Sequence, residues 1–224
     1  MFITFEGIEG SGKTTQLPYL VAYLRQAGHR CVVTREPGGT RIGGKIRAIL
    51  LDPENSGLDS TAELLLYTAD RAQHLAECVR PALAAGHTVL CDRYFDATQV
   101  YQGYARGLDS KLINRLHDLV LGGLLPDLTF LLDLPAEVGL ARALKQIEAG
   151  ARSGLETRFE QEALAFHERV RAGYLELAGR EPGRIRVIDA DRSEVEVRRD
   201  ILAVLAGGCV PEVPPRIGGQ RKTT

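Results

Sequence analysis

The chain has 224 residues, with hydrophobic and charged fractions of 44% and 25%, the proportions of an ordinary globular domain. Its net charge of −1 gives no support for broad electrostatic binding to nucleic acid or to an anionic membrane. Its 4 cysteines are isolated, with no CxxC and no Cys/His cluster, which argues against structural zinc and a disulfide framework.

The predicted elements alternate between strands and helices along the chain. Strands are expected over 2–5, 31–34, 88–91, 128–132 and 186–188, and helices over 13–27, 42–51 and 60–85, with further helices in the gaps. Pro81 lies inside the third helix and predicts a kink or break. Apolar strands separated by helices favour an α/β fold, in which a five-stranded parallel sheet has helices on both faces.

We expect one domain over residues 1–206 and a disordered tail over 207–224, which contains three prolines followed by Gly-Gly-Gln-Arg-Lys-Thr-Thr. The N-terminus enters the first strand directly and leaves no room for a signal peptide, and no apolar run is long enough to span a bilayer. These features predict a cytoplasmic protein that binds neither membrane nor nucleic acid.

A phosphate-binding loop lies between the first strand and the first helix. It reads GxxxxGK[ST] and comprises Gly7, Ile8, Glu9, Gly10, Ser11, Gly12, Lys13 and Thr14, followed by Thr15. The glycines allow successive backbone N–H groups to point at phosphate oxygens. Lys13 is expected to reach the β- and γ-phosphates, and the Thr14 hydroxyl to bind Mg²⁺. The motif predicts binding of a nucleoside triphosphate.

The loop alone leaves open a GTPase switch, an ATPase motor or a kinase. Two further polar segments, 36–40 and 92–94, follow predicted strands and are expected at the same edge of the sheet. No Asn-Lys-x-Asp stretch for reading guanine occurs in the sequence, which weighs against a GTPase.

Ordered motifs over roughly residues 1–205 resemble those of the thymidylate kinase family, P-loop nucleoside monophosphate kinases that phosphorylate dTMP. The segments that carry the resemblance are 5–15, 34–40 (Thr-Arg-Glu-Pro-Gly-Gly-Thr), 44–47, 63–74, 92–94 (Asp-Arg-Tyr) and 98–103. The resemblance implies transfer of the ATP γ-phosphoryl group to dTMP with Mg²⁺, a P-loop kinase fold with a short lid at about 145–158, and a homodimer.

The resemblance also implies roles at the acceptor phosphate and the sugar. Arg47 and Arg93 match phosphate-binding arginines, and their planar guanidinium groups suit that role. Asp92 is expected to orient Arg93 or to hold a Mg²⁺-bound water. Glu9 matches the acidic residue that binds the sugar 3′-hydroxyl, and Tyr101 matches a residue that favours deoxyribose.

The same resemblance predicts a base pocket formed by Tyr67, Arg71, Thr98 and Gln102. The turn residues Glu36 and Pro37 are also expected to bind dTMP. Tyr67 replaces the phenylalanine that commonly stacks on thymine in the family. Arg71, which shares a helix face with Tyr67, can donate to thymine O4. Thr98 and Gln102 can address the polar edge of the ring.

Members of the family carry the transition-state arginine either in the P-loop or in the lid. The resemblance therefore implies that the lid and its flanks supply this cation here, because the corresponding position of the P-loop, Glu9–Gly10, contains no arginine. Arg152 is the first candidate, Arg158 the second, and Lys145 a further contributor. Arg142 is expected to pack on adenine. Two alternatives stay open, a kinase acting on dUMP, UMP or CMP and a non-catalytic or switch-like P-loop protein.

Overall fold

The structure is a computed structural model that describes residues 1–150 and 155–209. Its strands are β1 (Phe2–Glu6), β2 (Cys31–Arg35), β3 (Thr88–Asp92), β4 (Leu128–Asp133) and β5 (Ile185–Asp189). Its α-helices are α1 (Lys13–Gln26), α2 (Arg41–Leu51), α3 (Ser60–His74), α4 (Arg80–Ala84), α5 (Phe95–Thr98), α6 (Ser110–Leu121), α7 (Ala136–Glu148), α8 (Leu164–Arg180) and α9 (Glu194–Val204). Shorter turns are the 3₁₀ turn Pro53–Asn55 and the π-helical segments Leu75–Val79, Gln99–Ala105 and Leu205–Cys209.

The five strands form one parallel sheet in the order β2-β3-β1-β4-β5. Side chains alternate across it: Ile3 and Phe5 of β1 pack with helix α1, whereas Phe2 packs on the opposite face with Leu75 and Val79. Both faces are therefore covered, as a parallel sheet requires. The predicted α/β fold is confirmed, with each strand within one residue of its expected bounds.

The long third helix departs from the predicted continuous element. Helix α3 ends at His74, a π-helical segment covers Leu75–Val79, and α4 then begins with Pro81 at its second position. Proline has no N–H to donate and its ring crowds the carbonyl four residues earlier, so the helix widens before it. The break was predicted at Pro81, but it begins about a turn and a half earlier.

Within the part of the chain that the structure describes, no helix is both long and apolar enough to cross a membrane. The predicted tail lies almost wholly outside the described residues, as does Arg152.

Candidate functional site

A cavity of about 580 Å³ opens at the carboxyl ends of β1, β2 and β3. The direction of strand addition reverses at β1, and such a reversal is where parallel sheets place their ligands. The lining comprises Glu9, Gly10, Ser11, Gly12, Lys13, Thr14, Thr15, Arg35, Glu36, Pro37, Arg47, Leu51, Tyr67, Asp92, Arg93, Ala97, Thr98, Tyr101, Gln102, Gln146, Glu156, Phe159 and Glu160. The structure thus brings most of the predicted site residues together.

The P-loop closes around the ammonium group of Lys13. Lys13 Nζ donates to the carbonyl oxygens of Gly7 at 3.0 Å and Ile8 at 2.9 Å, and to Ser11 Oγ at 3.2 Å. Burial disfavours the charged form and lowers the pKa of Lys13 to about 8. An anion bound in the loop would stabilise the charged form and raise this pKa again, so Lys13 is placed to bind a phosphate.

Helix α7 presses against the loop. Gly10 has a φ of +70°, a conformation that favours glycine, and an added Cβ there would lie 2.0 Å from the carbonyl oxygen of Gly139. A Cβ on Gly139 would in turn lie 2.6 Å from the Glu9 carbonyl oxygen. Glycines on both sides of this contact allow the loop and the helix to approach so closely.

Arg93 and Glu9 form an ion pair across the cavity floor. Arg93 Nη2 donates to Glu9 Oε1 at 2.8 Å, and the Tyr101 hydroxyl donates to the same oxygen at 2.7 Å. Burial alone would raise the pKa of Glu9, but Arg93, His167 and Lys13 together outweigh it and hold that pKa below its usual range. Glu9 is therefore an ionised acceptor within reach of a ligand.

Arg93 adopts a φ of +68°, which is uncommon outside glycine. Its backbone N–H donates to the Phe5 carbonyl at 2.9 Å, and its guanidinium lies over the Tyr101 ring, 4.9 Å from the centroid. The structure holds the side chain over the cavity in spite of backbone strain, a pattern that recurs at functional sites.

Asp92 and Thr14 are the predicted metal ligands. Asp92 Oδ1 is buried without a hydrogen-bond partner among the described residues, and Thr14 is exposed at the cavity. No group of three or more His, Cys, Asp or Glu side chains in the described ranges forms a metal cage. An unpartnered carboxylate oxygen and a hydroxyl fit Mg²⁺, which is usually held by few protein oxygens together with substrate phosphates and water.

The guanidinium of Arg47 is occupied by a carboxylate in this structure. Its Nε and Nη2 donate to Glu156 Oε1 at 3.0 Å and Oε2 at 2.7 Å, and Nη1 donates to the Pro37 carbonyl at 3.0 Å. This two-point geometry is the one that an arginine offers to a phosphate. The Glu156 carboxylate therefore covers the predicted phosphate-binding surface of Arg47.

Arg71 lies directly behind the cavity wall rather than on it. Its Nε donates to Glu36 Oε2 at 2.8 Å and its Nη2 to Thr98 Oγ1 at 3.0 Å, and both of these partners line the cavity. Glu36 is held from its other side by His74, at 2.8 Å. Arg71 Nη1 is a buried donor without a partner among the described residues. Such an orphan donor is suited to a carbonyl oxygen of a base.

Tyr67 and Gln102 complete the predicted base pocket. Tyr67 is half-buried on the cavity wall, and burial raises the pKa of its phenol, so the hydroxyl stays neutral. Gln102 is almost wholly buried, and its Nε2 donates to Glu63 Oε1 at 2.7 Å.

The candidate lid cations are placed differently from one another. Arg158 is buried, with Nη2 2.6 Å from Glu63 Oε2 and Nε 2.5 Å from the Leu50 carbonyl, so this second candidate is committed to a structural contact. Arg142 and Lys145 lie outside the main cavity, along a shallow depression on α7. Arg142 is tethered to the Ala190 carbonyl at 2.9 Å.

Several residues that line the cavity were not predicted from the sequence. Gln146, Glu156, Phe159 and Glu160 line the cavity from the end of α7 and the segment that follows it, and Phe159 packs edge-on against Tyr101. The only sequence signal was their position, since Gln146 and Glu156 lie within the predicted lid and Phe159 and Glu160 directly follow it. Glu63 was also not predicted. It lies one helical turn before Tyr67, so the available sequence signal was a carboxylate on the helix face that carries Tyr67.

Comparison with known proteins is consistent with this geometry. A family model described as thymidylate kinase matches residues 5–201. A thymidylate kinase of Desulfosudis oleivorans is 58% identical over 205 residues, covering 92% of this chain and 96% of that protein. One of Geobacter sulfurreducens is 60% identical over 190 residues, covering 85% and 89%. The crystal structure of the Ehrlichia chaffeensis thymidylate kinase superposes with a TM-score of 0.72 at 37% identity, over 92% of this chain and 98% of that one.

Proposed function

Because the chain belongs to the thymidylate kinase family, we propose that it transfers the γ-phosphoryl group of ATP to dTMP, giving dTDP and ADP. This proposal is supported by one cavity, which is lined by residues 9–15 of the P-loop, by Arg93 and Arg47, and by the base-pocket residues Tyr67, Thr98 and Gln102. Phosphoryl transfer needs its two substrates held in line in one site.

The P-loop, residues 7–15, is proposed to hold the ATP phosphates, with Lys13 balancing their charge and Arg142 packing on adenine. Arg93 and Arg47 hold the dTMP phosphate on the opposite side. The attacking group is an anionic phosphate oxygen, so no general base is required, and the protein positions the substrates and screens their charge.

The sugar and base are proposed to lie over Tyr101 and Tyr67. Glu9 accepts a hydrogen bond from the 3′-hydroxyl, which the ionised state of this carboxylate supports. Tyr67 stacks on thymine, and Arg71 donates towards O4 from behind Thr98. The turn at Glu36 and Pro37 closes the pocket by fixing Arg71 and Arg47 respectively.

Mg²⁺ is proposed to be held by Thr14 and by Asp92, directly or through water, as the unpartnered Asp92 Oδ1 supports. When bound, the ion neutralises charge on the phosphates. Arg152 in the lid remains our proposal for the cation that meets the transferring group. It lies outside the described residues, and the engagement of Arg158 with Glu63 removes the second candidate in this conformation.

We further propose one domain over 1–206, a cytoplasmic location, where dTMP and ATP are available, and a homodimer. The dimer is supported by large apolar side chains that are exposed on three packed helices, namely Ile42 and Ile49 of α2, Leu65 of α3, and Leu112 and Leu119 of α6.

The test is an ADP-release assay with Mg-ATP and a panel of dTMP, dUMP, UMP, dCMP and dGMP. We expect turnover on dTMP far above the rest, with dUMP the nearest competitor, since one methyl group in an apolar slot is worth about 1–3 kcal/mol. Preferential turnover of UMP would overturn the base-pocket proposal. ADP release that ignores every acceptor would favour the ATPase or switch alternative.

A further inference from the structure

A buried carboxylate lies behind the predicted base reader. Glu63 is 0% exposed on α3, and three donors converge on it: Gln102 Nε2 at 2.7 Å and Arg106 Nε at 2.8 Å on Oε1, and Arg158 Nη2 at 2.6 Å on Oε2. Guanidinium groups can only donate, so both oxygens of Glu63 accept hydrogen bonds from Arg106 and Arg158.

This contact fixes which way round the Gln102 amide lies. A glutamine amide has a donating and an accepting end, and only the donating NH₂ can face Glu63. The accepting Oε1 is consequently directed away from Glu63. Among the described residues no donor contacts it, and Gln102 lines the cavity beside Thr98. The amide therefore offers its oxygen as an acceptor on the side that faces away from Glu63.

An acceptor at this place discriminates between pyrimidines. Thymine and uracil carry a donor at N3 beside the acceptor O4, whereas cytosine carries an acceptor at N3 beside a donating amino group. Oε1 of Gln102 pairs with the first pattern and opposes the second. The orphan donor Nη1 of Arg71, whose Nη2 contacts Thr98, has the complementary polarity for O4.

We propose that Glu63 is a positioning residue that sets base selectivity by holding the Gln102 amide with its oxygen towards the base. The inference rests on the proposed function, because it names the partner that fixes one reader of the same pocket. Glu63 does not touch the substrate, and its effect is transmitted through Gln102.

The test is Glu63→Gln, which preserves the shape of the side chain but gives it an NH₂ end. The new amide can then donate to Gln102 Oε1, so the Gln102 amide is free to turn over. We expect the ratio of kcat/KM for dTMP to that for dCMP to fall about tenfold, the effect of one hydrogen bond lost or opposed. The dTMP to dUMP ratio should change less than about twofold, since both bases present the same edge.

Arg106→Gln is the matched control. It removes another donor to the same Glu63 oxygen and leaves the Gln102 contact in place. We expect a lower melting temperature but an unchanged dTMP to dCMP ratio. A general loosening of the pocket would instead lower the ratio in both variants, and that result would overturn the proposal.

The double variant Glu63→Gln/Gln102→Glu covers the case in which Glu63→Gln does not fold, because it exchanges the two side chains and keeps the net charge. The side chain that replaces Gln102 presents only acceptors to the base. We expect preference for dTMP over dCMP within about threefold of the parent, which is a difference below about 1 kcal/mol. Loss of that preference in the folded double variant would contradict the proposal.

Failure of the proposal is distinguishable from failure of the proposed function. If the parent prefers dTMP and Glu63→Gln keeps the same dTMP to dCMP ratio, the kinase assignment stands and the role of Glu63 is wrong. If the parent phosphorylates no pyrimidine monophosphate, the assignment itself fails.

Discussion

At the scale of single residues, the carboxylate of Glu156 holds the surface of Arg47 that the substrate phosphate is proposed to use. The ion pair is bidentate, but it is partly exposed, with side-chain exposures of 15% for Arg47 and 32% for Glu156, so water screens it. A dTMP phosphate must replace Glu156 on the guanidinium. Substrate binding and the end of the predicted lid segment are thereby coupled.

Glu156→Gln should therefore lower the KM for dTMP. A partly exposed pair is worth about 0.5–1 kcal/mol, which corresponds to about a two- to fivefold change. Steady-state kinetics with varied dTMP at saturating ATP measures it. Glu162→Gln is the matched control, because Glu162 has similar exposure and pairs with Arg106 outside the cavity lining. If the KM for dTMP is unchanged or higher in Glu156→Gln, then Glu156 does not compete with the dTMP phosphate for Arg47.

Lys13 gives a prediction for pH. Its pKa is lowered by burial from 10.5 to about 8, so near pH 8.5 part of the population is neutral. The triphosphate places negative charge beside the ammonium and raises that pKa, so ATP binding should take up a fraction of a proton. Near pH 7 Lys13 is already charged, so ATP binding should cause almost no proton uptake by Lys13.

Titration calorimetry in two buffers that differ in ionisation enthalpy measures this uptake directly. The apparent binding enthalpies should differ between buffers near pH 8.5 in the sense of proton uptake. If no protons are taken up near pH 8.5, the lowered pKa or the phosphate contact of Lys13 is wrong.

Residue identities in the cavity were largely predictable, whereas their pairings were not. The P-loop, Arg93 and Gln102 were found from motifs that lie where the structure places the cavity. The partners Glu63, Glu156 and His167 are distant in sequence from Gln102, Arg47 and Glu9, and nothing in local spacing links them. Their contacts arise only when the helices pack.

At the scale of elements, the contact between α7 and the P-loop predicts the effect of one methyl group. In Gly139→Ala the new Cβ would lie 2.6 Å from the Glu9 carbonyl oxygen and 2.8 Å from Ile8 Cδ1, so the loop must move. Because in-line transfer tolerates little displacement, we expect kcat/KM for ATP to fall by about tenfold or more.

Gly179→Ala is the control for this change. It also lies in a helix, α8, and an added Cβ there meets nothing within 4 Å. Replacing a helical glycine by alanine should stabilise the fold by about 0.5–1 kcal/mol without altering the kinetics. Equal kinetics in both variants would show that the α7 contact does not position the loop.

Element types and strand bounds followed from the sequence because apolar strand runs and helical periodicity are local signals. The exception, the π-helical segment before Pro81, shows the limit of such signals. Proline predicts an interruption, but how far it spreads towards the N-terminus depends on how the widened turn packs Leu75 and Val79 against the sheet.

At the scale of the whole molecule, the proposed homodimer predicts a response to single charges on its surface. Leu65 on α3 is 51% exposed and Leu119 on α6 is 79% exposed. An arginine in an apolar interface would be buried unpaired, so Leu65→Arg or Leu119→Arg should shift the protein towards monomer. Sedimentation equilibrium measures the shift.

Val195→Arg on α9 is the control, since Val195 is 68% exposed on a different helix and should leave the assembly unchanged. Two results would contradict a dimer through these helices. One is a parent protein that sediments as a monomer, and the other is that the Leu65→Arg and Leu119→Arg variants both remain dimeric.

The order of strands brings together segments that are about 90 residues apart in sequence, and this is why the site forms at all. Register pairs Phe5 with Asp92, and Arg35 with Asp92, so the ends of β1, β2 and β3 coincide. The P-loop, the 36–40 turn and Arg93 follow from those three ends. Parallel topology therefore converts three separate motifs into one cavity.

The most direct test of the account is to quantify both products after incubating the protein with dTMP and Mg-ATP. Chromatography should show dTDP and ADP formed in equal amounts, with little ADP when dTMP is omitted, because the site is built to deliver the phosphoryl group to the acceptor. ADP formed at the same rate with and without dTMP, and no dTDP, would contradict the assignment.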